Sequence, residues 1–94
     1  MMSEIPIDLT KVKKENIDKE VLRAGIIAEL DAINLYEQLA EATDNKDIKK
    51  VILDIAKEEK THVGEFQTLL LKFDQQQVTE LEAGKKEVEK ELSK

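Results

Sequence analysis

Glu59-x-x-His62 is the pattern in this chain with the most chemistry in it. His62 is the single histidine in 94 residues. A helix sets it one turn beyond Glu59, near enough for both side chains to grip one cation. Glu29 lies thirty residues before Glu59, and position 44 is their midpoint, where Asp44-Asn45 reads as a turn. A chain folded back there as an antiparallel pair of helices brings Glu29 level with Glu59. Two carboxylates and an imidazole at one height are half of a two-metal carboxylate site. In such sites two helices of a four-helix bundle each give Glu-x-x-His and the other two each give a Glu. Two copies of this chain about a two-fold axis supply that set, and four carboxylates balance two divalent ions. Oxygen-rich ligation with few imidazoles suits Fe(II), Mn(II) or Zn(II), whereas a structural zinc site draws more on nitrogen or sulfur.

The neighbours of these residues sharpen the reading. Leu22, Ile26, Glu29, Ile33, Tyr36 and Ala40 recur at spacings 4-3-4-3-4. Ile48, Ile52, Ile55, Glu59, His62, Phe66, Leu69 and Phe73 recur at 4-3-4-3-4-3-4. Both are core stripes of packed helices, so Glu29, Glu59 and His62 fall where isoleucine and phenylalanine precede and follow. An unpaired carboxylate in such a place costs several kcal/mol, and a cation removes that cost. Each residue also has a plainer reading. For His62 the lesser alternative is a core histidine bonded to a carbonyl or to Glu58, and Glu58 is the alternative ligand to Glu59, though it falls off the stripe. Tyr36 either bonds a ligand carboxylate or fills the core. Glu65 is a solvated acid or a transient ion site, and Asp31 points largely away from Glu29. Gly64, costly by up to ~1 kcal/mol inside a helix, marks close approach of another helix, the symmetry partner's being one candidate.

The elements that must carry these residues follow from the same periodicity. Residues 1–15 contain the one proline and no helical stripe, so they form an extended arm, ordered when a partner covers Ile5, Ile7 and Leu9. A first helix covers residues 16–43, capped by Asn16 or Asp18, and a second covers 45–73; each is about 40 Å long. Residues 75–94 are a further helical segment. Asp74 caps it, Gln77 reaches back as in a capping box, and Gly84 interrupts it. Leu30, Leu39, Leu53, Val63 and Leu70 widen the apolar faces beyond what two helices can cover, so more helix must come from a partner. The expected fold is all-α, a long antiparallel hairpin with a short C-terminal helix, completed to four helices by dimerisation.

Composition bounds the alternatives. Apolar residues make up 40% and charged residues 38%, the mix of long helices with wet outer faces in one small domain. The absence of cysteine excludes disulfides, thiolate zinc sites and a rubredoxin-type module within these residues, and is compatible with a reducing cytosol. No apolar run approaches the roughly 20 residues of a membrane span, and no signal peptide is present. A net charge of −6 disfavours nucleic acid and anionic membranes and favours gathering cations. The ending Glu-Leu-Ser-Lys reads as a cut from something longer.

Ile27-Ala28-Glu29-Leu30-Asp31-Ala32-Ile33-Asn34-Leu35-Tyr36-Glu37, followed by Ala56-Lys57-Glu58-Glu59-Lys60-Thr61-His62-Val63-Gly64-Glu65-Phe66, resembles the encapsulated ferritins. The likeness runs over about residues 17–82, and is strongest to the ferritin-like domain fused in front of some encapsulin shell proteins. The resemblance implies a ferroxidase with half a ferritin fold per chain. Its di-iron centre forms between two subunits, with Glu29, Glu59 and His62 as ligands and Tyr36 beside them. It further implies iron as cofactor, dimers assembled into a decameric ring, and a cytoplasmic place inside an encapsulin nanocompartment. Ala28 stands where some members carry an acid before the first ligand, which puts a metal-entry site there in doubt. A cargo-targeting tail is absent, as expected for a fused domain. Two rival expectations stand beside the ferroxidase: a rubrerythrin-like di-iron peroxidase, and a non-catalytic assembly module stapled by metal.

Overall fold

The computed structural model describes residues 8–94, and among them every regular element is helical. Two short 3-10 turns, Leu9–Lys11 and Lys14–Asn16, lead into helix α1 (Ile17–Ala42). Helix α2 (Lys46–Phe73) folds back against α1, and helix α3 (Gln75–Leu92) follows after the single residue Asp74. The arm expected before the first helix is therefore not extended from Asp8 onward; Ile5 and Ile7 lie outside the described residues. Asn16 stands at the start of α1 but its side chain makes no capping bond. The preceding 3-10 turn already engages the local amides, since Asn16 N–H donates to the Lys13 carbonyl at 2.8 Å and Ile17 N–H donates to Lys14.

The turn at Thr43–Asn45 is built by side chains. The Asn45 amide oxygen accepts from the Asp47 and Ile48 N–H groups, both at 3.0 Å, and satisfies two of the orphan donors opening α2. Asn45 N–H in turn donates to Thr43 Oγ1 at 3.2 Å. At the other end Asp74 plays the same part for α3, accepting from Gln77 N–H at 3.0 Å while holding Arg23 of α1 at 2.8 Å. That one carboxylate ties the start of α3 to the open end of the hairpin. Gly84 does not break α3, which runs through it as helix. A mid-helix glycine costs about 1 kcal/mol, too little to stop a segment otherwise rich in Glu, Lys and Leu.

The core is narrow. Leu22, Ile33 and Ala40 of α1 and Ala56 and Leu70 of α2 are its fully buried members. The α1 residues lie on the expected stripe. Those of α2 lie one position beside it, while Ile48, Leu69 and Phe73 of the α2 stripe are 46–51% exposed. Two helices bury only a thin sector of each other, and the remaining width of the stripe faces outward. The radius of gyration is 16.8 Å and the extents are 46 × 46 × 20 Å. A compact domain of this length would have a radius near about 12 Å. The chain is a plate, with one broad side of the hairpin left open.

Candidate metal centre

Glu29 and Ile33 are one turn apart on α1, and Ile55, Glu59 and His62 climb α2 in the opposite direction. Folding at Thr43–Asn45 sets the two acids opposite each other, as the mirrored spacing requires. His62 Nδ1 lies 3.3 Å from Glu29 Oε2 and 3.4 Å from Glu59 Oε2. One donor atom from each of the three residues fits within a span of 4.8 Å. The glutamate side chains are 19% exposed and the imidazole 44%, so the group sits at the floor of the open side, with His62 outermost.

Charge and distance both fit a cation. Among the described residues, the ion-pair partner of Glu29 and of Glu59 is the same His62 ring nitrogen. A neutral imidazole carries one proton on one of its two nitrogens and cannot balance two carboxylates. A divalent ion can. Two donors each about 2.1 Å from one ion stand about 3.0 Å apart at a right angle and about 3.4 Å at a tetrahedral angle. The observed 3.3 and 3.4 Å separations are at that spacing before any adjustment. Two carboxylate oxygens and one nitrogen leave further coordination positions to be filled from outside this chain.

The remaining expected site residues divide. Glu58 is exposed and outside the converging group, so Glu59 is the acid on the inner side of α2. Glu65 is exposed but borders the site: with Glu29, His62, Phe66 and Leu69 it lines a groove of about 340 Å³. Asp31 is half-buried on α1 and outside the group. Tyr36 is half-buried two turns beyond Glu29. Gly64 faces open space, with nothing of this chain within 4 Å of where a Cβ would stand. The close approach is at Gly25, which the spacing of polar residues gave no reason to single out: the Phe66 ring lies against it.

A crystal structure of the encapsulated ferritin domain from Pyrococcus furiosus matches with a TM-score of 0.82 at 49% identity, covering 96% of this chain and 94% of that one. The sequence profile of the rubrerythrin family matches residues 20–93. The chain belongs to the rubrerythrin family, among the encapsulated ferritins. A ferritin-like–encapsulin shell fusion protein of Pyrococcus furiosus is 60% identical over 74 residues, 79% of this chain and 21% of that protein. The encapsulin nanocompartment cargo protein EncC of Myxococcus xanthus is 43% identical over 56 residues, 60% of this chain and 43% of that protein. The chain thus matches about a fifth of one of these relatives and less than half of the other. As an encapsulated ferritin it has the ferritin-like helical fold, and its family usually binds iron.

Proposed function

We propose that this chain is one half of a ferroxidase. Two copies pair over the open side of the hairpin, and Glu29, Glu59 and His62 of both hold two Fe(II) ions between them. The observation that carries the reading is the convergence of those three side chains at metal-ligand spacing on an uncovered face. Iron is the substrate. Each Fe(II) gives up one electron, so a pair delivers two electrons to one O₂, which takes two protons from solvent and leaves as H₂O₂ while the irons leave as Fe(III). The protein's part is electrostatic. Carboxylate oxygens of Glu29 and Glu59 stabilise the 3+ ion more than the 2+ ion, which makes the loss of an electron easier. His62 adds a nitrogen and closes the outer edge, and Tyr36 lies two turns beyond Glu29 on α1, the tyrosine that the family resemblance sets near the centre.

Partners follow from the same reading. A pair of hairpins encloses no cavity for mineral, so the product must be stored elsewhere. The names of the relatives, an encapsulin shell fusion and a nanocompartment cargo protein, support an encapsulin shell as that place, and we put that shell in the cytoplasm. Dimers joined into a decameric ring are the assembly we propose within it. No described helix is long and apolar enough to cross a membrane.

The test is O₂-dependent formation of Fe(III), followed by absorbance. His62→Ala and Glu59→Ala are expected to slow it by at least about 100-fold, since loss of a mere supporting residue already costs 10- to 100-fold. An unchanged rate in either variant ends the ferroxidase reading. The rubrerythrin profile favours a second reading, a peroxidase of the same centre, and faster Fe(II) oxidation by H₂O₂ than by O₂ would select it. Metal that fixes the oligomer without turnover by either oxidant would leave an assembly module.

A further inference from the structure

Gly25 sits four residues before Glu29 on α1, and Phe66 sits four residues after His62 on α2. Because the helices run in opposite directions, one helical turn along each leads from the Glu29–His62 pair to the Gly25–Phe66 pair. Both pairs touch. His62 Nδ1 is 3.3 Å from Glu29, and a Cβ added at Gly25 would stand 3.0–3.1 Å from Cε1, Cδ1 and Cζ of the Phe66 ring. That is closer than about nine in ten real Cβ contacts, so an alanine here makes the ring or the helix give by a few tenths of an ångström. Phe66 also borders the groove that Glu29, His62, Glu65 and Leu69 share, so its ring is in touch with the ligand pair as well as with Gly25. Of the three glycines, Gly25 alone meets another residue in this way; Gly64 and Gly84 face open space.

We propose that Gly25 is a positioning residue for the metal centre, acting through Phe66. The missing side chain lets the ring lie against α1, and the ring then fixes the α1–α2 spacing one turn from the ligands. That spacing decides whether Glu29 and His62 reach the same ion. The donor separation of 3.3 Å is already that of two neighbouring ligands on one first-row ion, so a changed helix spacing makes Glu29 and His62 readjust before they can share it. The inference rests on the metal reading of Glu29, Glu59 and His62 and adds the element that tunes it.

A double-mutant cycle tests it with Co(II) as the probe, titrated anaerobically and followed by the visible absorption of the bound ion. Helix content is checked by circular dichroism. Gly25→Ala is expected to raise the half-saturating Co(II) concentration by about 10-fold or more, with helix content unchanged. Phe66→Leu leaves a gap and weakens binding as well. In the double variant the alanine methyl occupies the space the ring gave up, and affinity is expected to return to within about threefold of wild type, a non-additive result. Wild-type affinity in Gly25→Ala, or a double variant no better than the worse single one, overturns the proposal. If Gly25→Ala alone does not fold, Phe66→Leu is compared with the double variant. The added methyl must then tighten Co(II) binding by at least about threefold, and no change or weakening overturns the proposal. A wild-type protein that takes up no Co(II) removes the metal centre itself, and with it this inference, whereas wild-type binding with an indifferent Gly25 removes the inference alone.

Discussion

Glu58 and Glu59 are adjacent acids separated by about 100° around α2, and that angle divides solvent from site. Glu58 is exposed, whereas Glu59 is turned inward to within 3.4 Å of His62. Glu58→Gln is therefore expected to leave Mn(II) or Co(II) affinity within about twofold of wild type, and Glu59→Gln to weaken it by at least about tenfold. Isothermal titration of both variants checks this, and equal losses would mean that charge near the site, not ligation, is what matters. The three converging residues were legible in the sequence because spacing about a turn fixes height on two helices. Gly25 was not. A glycine inside a helix has the same cost wherever it stands, and only the residue facing it gives it meaning; Gly64, with the same signal, faces empty space.

The elements are held by caps whose chemistry differs. Asn45 accepts two amide hydrogens at the start of α2, directly below the level where the hairpin must align Glu29 with Glu59. Asn45→Ala is expected to lower the stability of the chain by about 1 kcal/mol, read as a shift in the urea midpoint. Asp74 opens α3, and its carboxyl is held below the ordinary carboxylate value first by the Gln77 N–H; desolvation opposes this, and the Arg23 bond and the charges of Lys19 and Arg23 add to the lowering. A carboxyl more acidic folded than unfolded adds stability above the unfolded value, and that stability fades as pH falls through the folded one. Asp74→Asn keeps an amide-accepting cap without the charge. Its urea midpoint is expected to fall below wild type near about pH 6, with the gap closing toward about pH 2. A gap that persists in acid would mean the carboxylate charge is not what ties α3 to α1. The Asp74 cap was legible as a short acid ahead of a helical run, whereas Asn45 was legible only as part of a turn. The persistence of α3 through Gly84 was not, because a cost of about 1 kcal/mol shifts a helix end only where nothing else supports the turn.

At the scale of the whole molecule, the decisive feature is the plate shape and what its open side carries. The groove bordered by Glu29, His62, Glu65, Phe66 and Leu69 meets a second one bordered by Asp18, Val21, Leu22, Leu69 and Phe73, with Leu69 common to both. The proposed metal ligands and exposed apolar side chains therefore share one surface, as a site completed by a second copy would require. The sequence announced the surplus of apolar width but not which side of each helix would remain uncovered, since that depends on how much of the stripe one neighbouring helix can hide. Phe73 gives a clean test, because it is 51% exposed in the single chain and lies outside the ligand group. Replacing it by Asn costs the lone hairpin little. Across a two-fold interface it removes about 1 kcal/mol of apolar burial from each copy, so the dimer should weaken roughly thirtyfold. Native mass and sedimentation with Mn(II) are expected to show wild type paired or larger, and Phe73→Asn, or wild type after chelation, shifted toward the single chain. If a second copy fills the coordination positions one chain leaves open, as proposed, metal affinity should fall in the variant even though Glu29, Glu59 and His62 are untouched. A Phe73→Asn protein that keeps both its mass and its affinity would put the partner on a different surface and leave the three ligands to work alone.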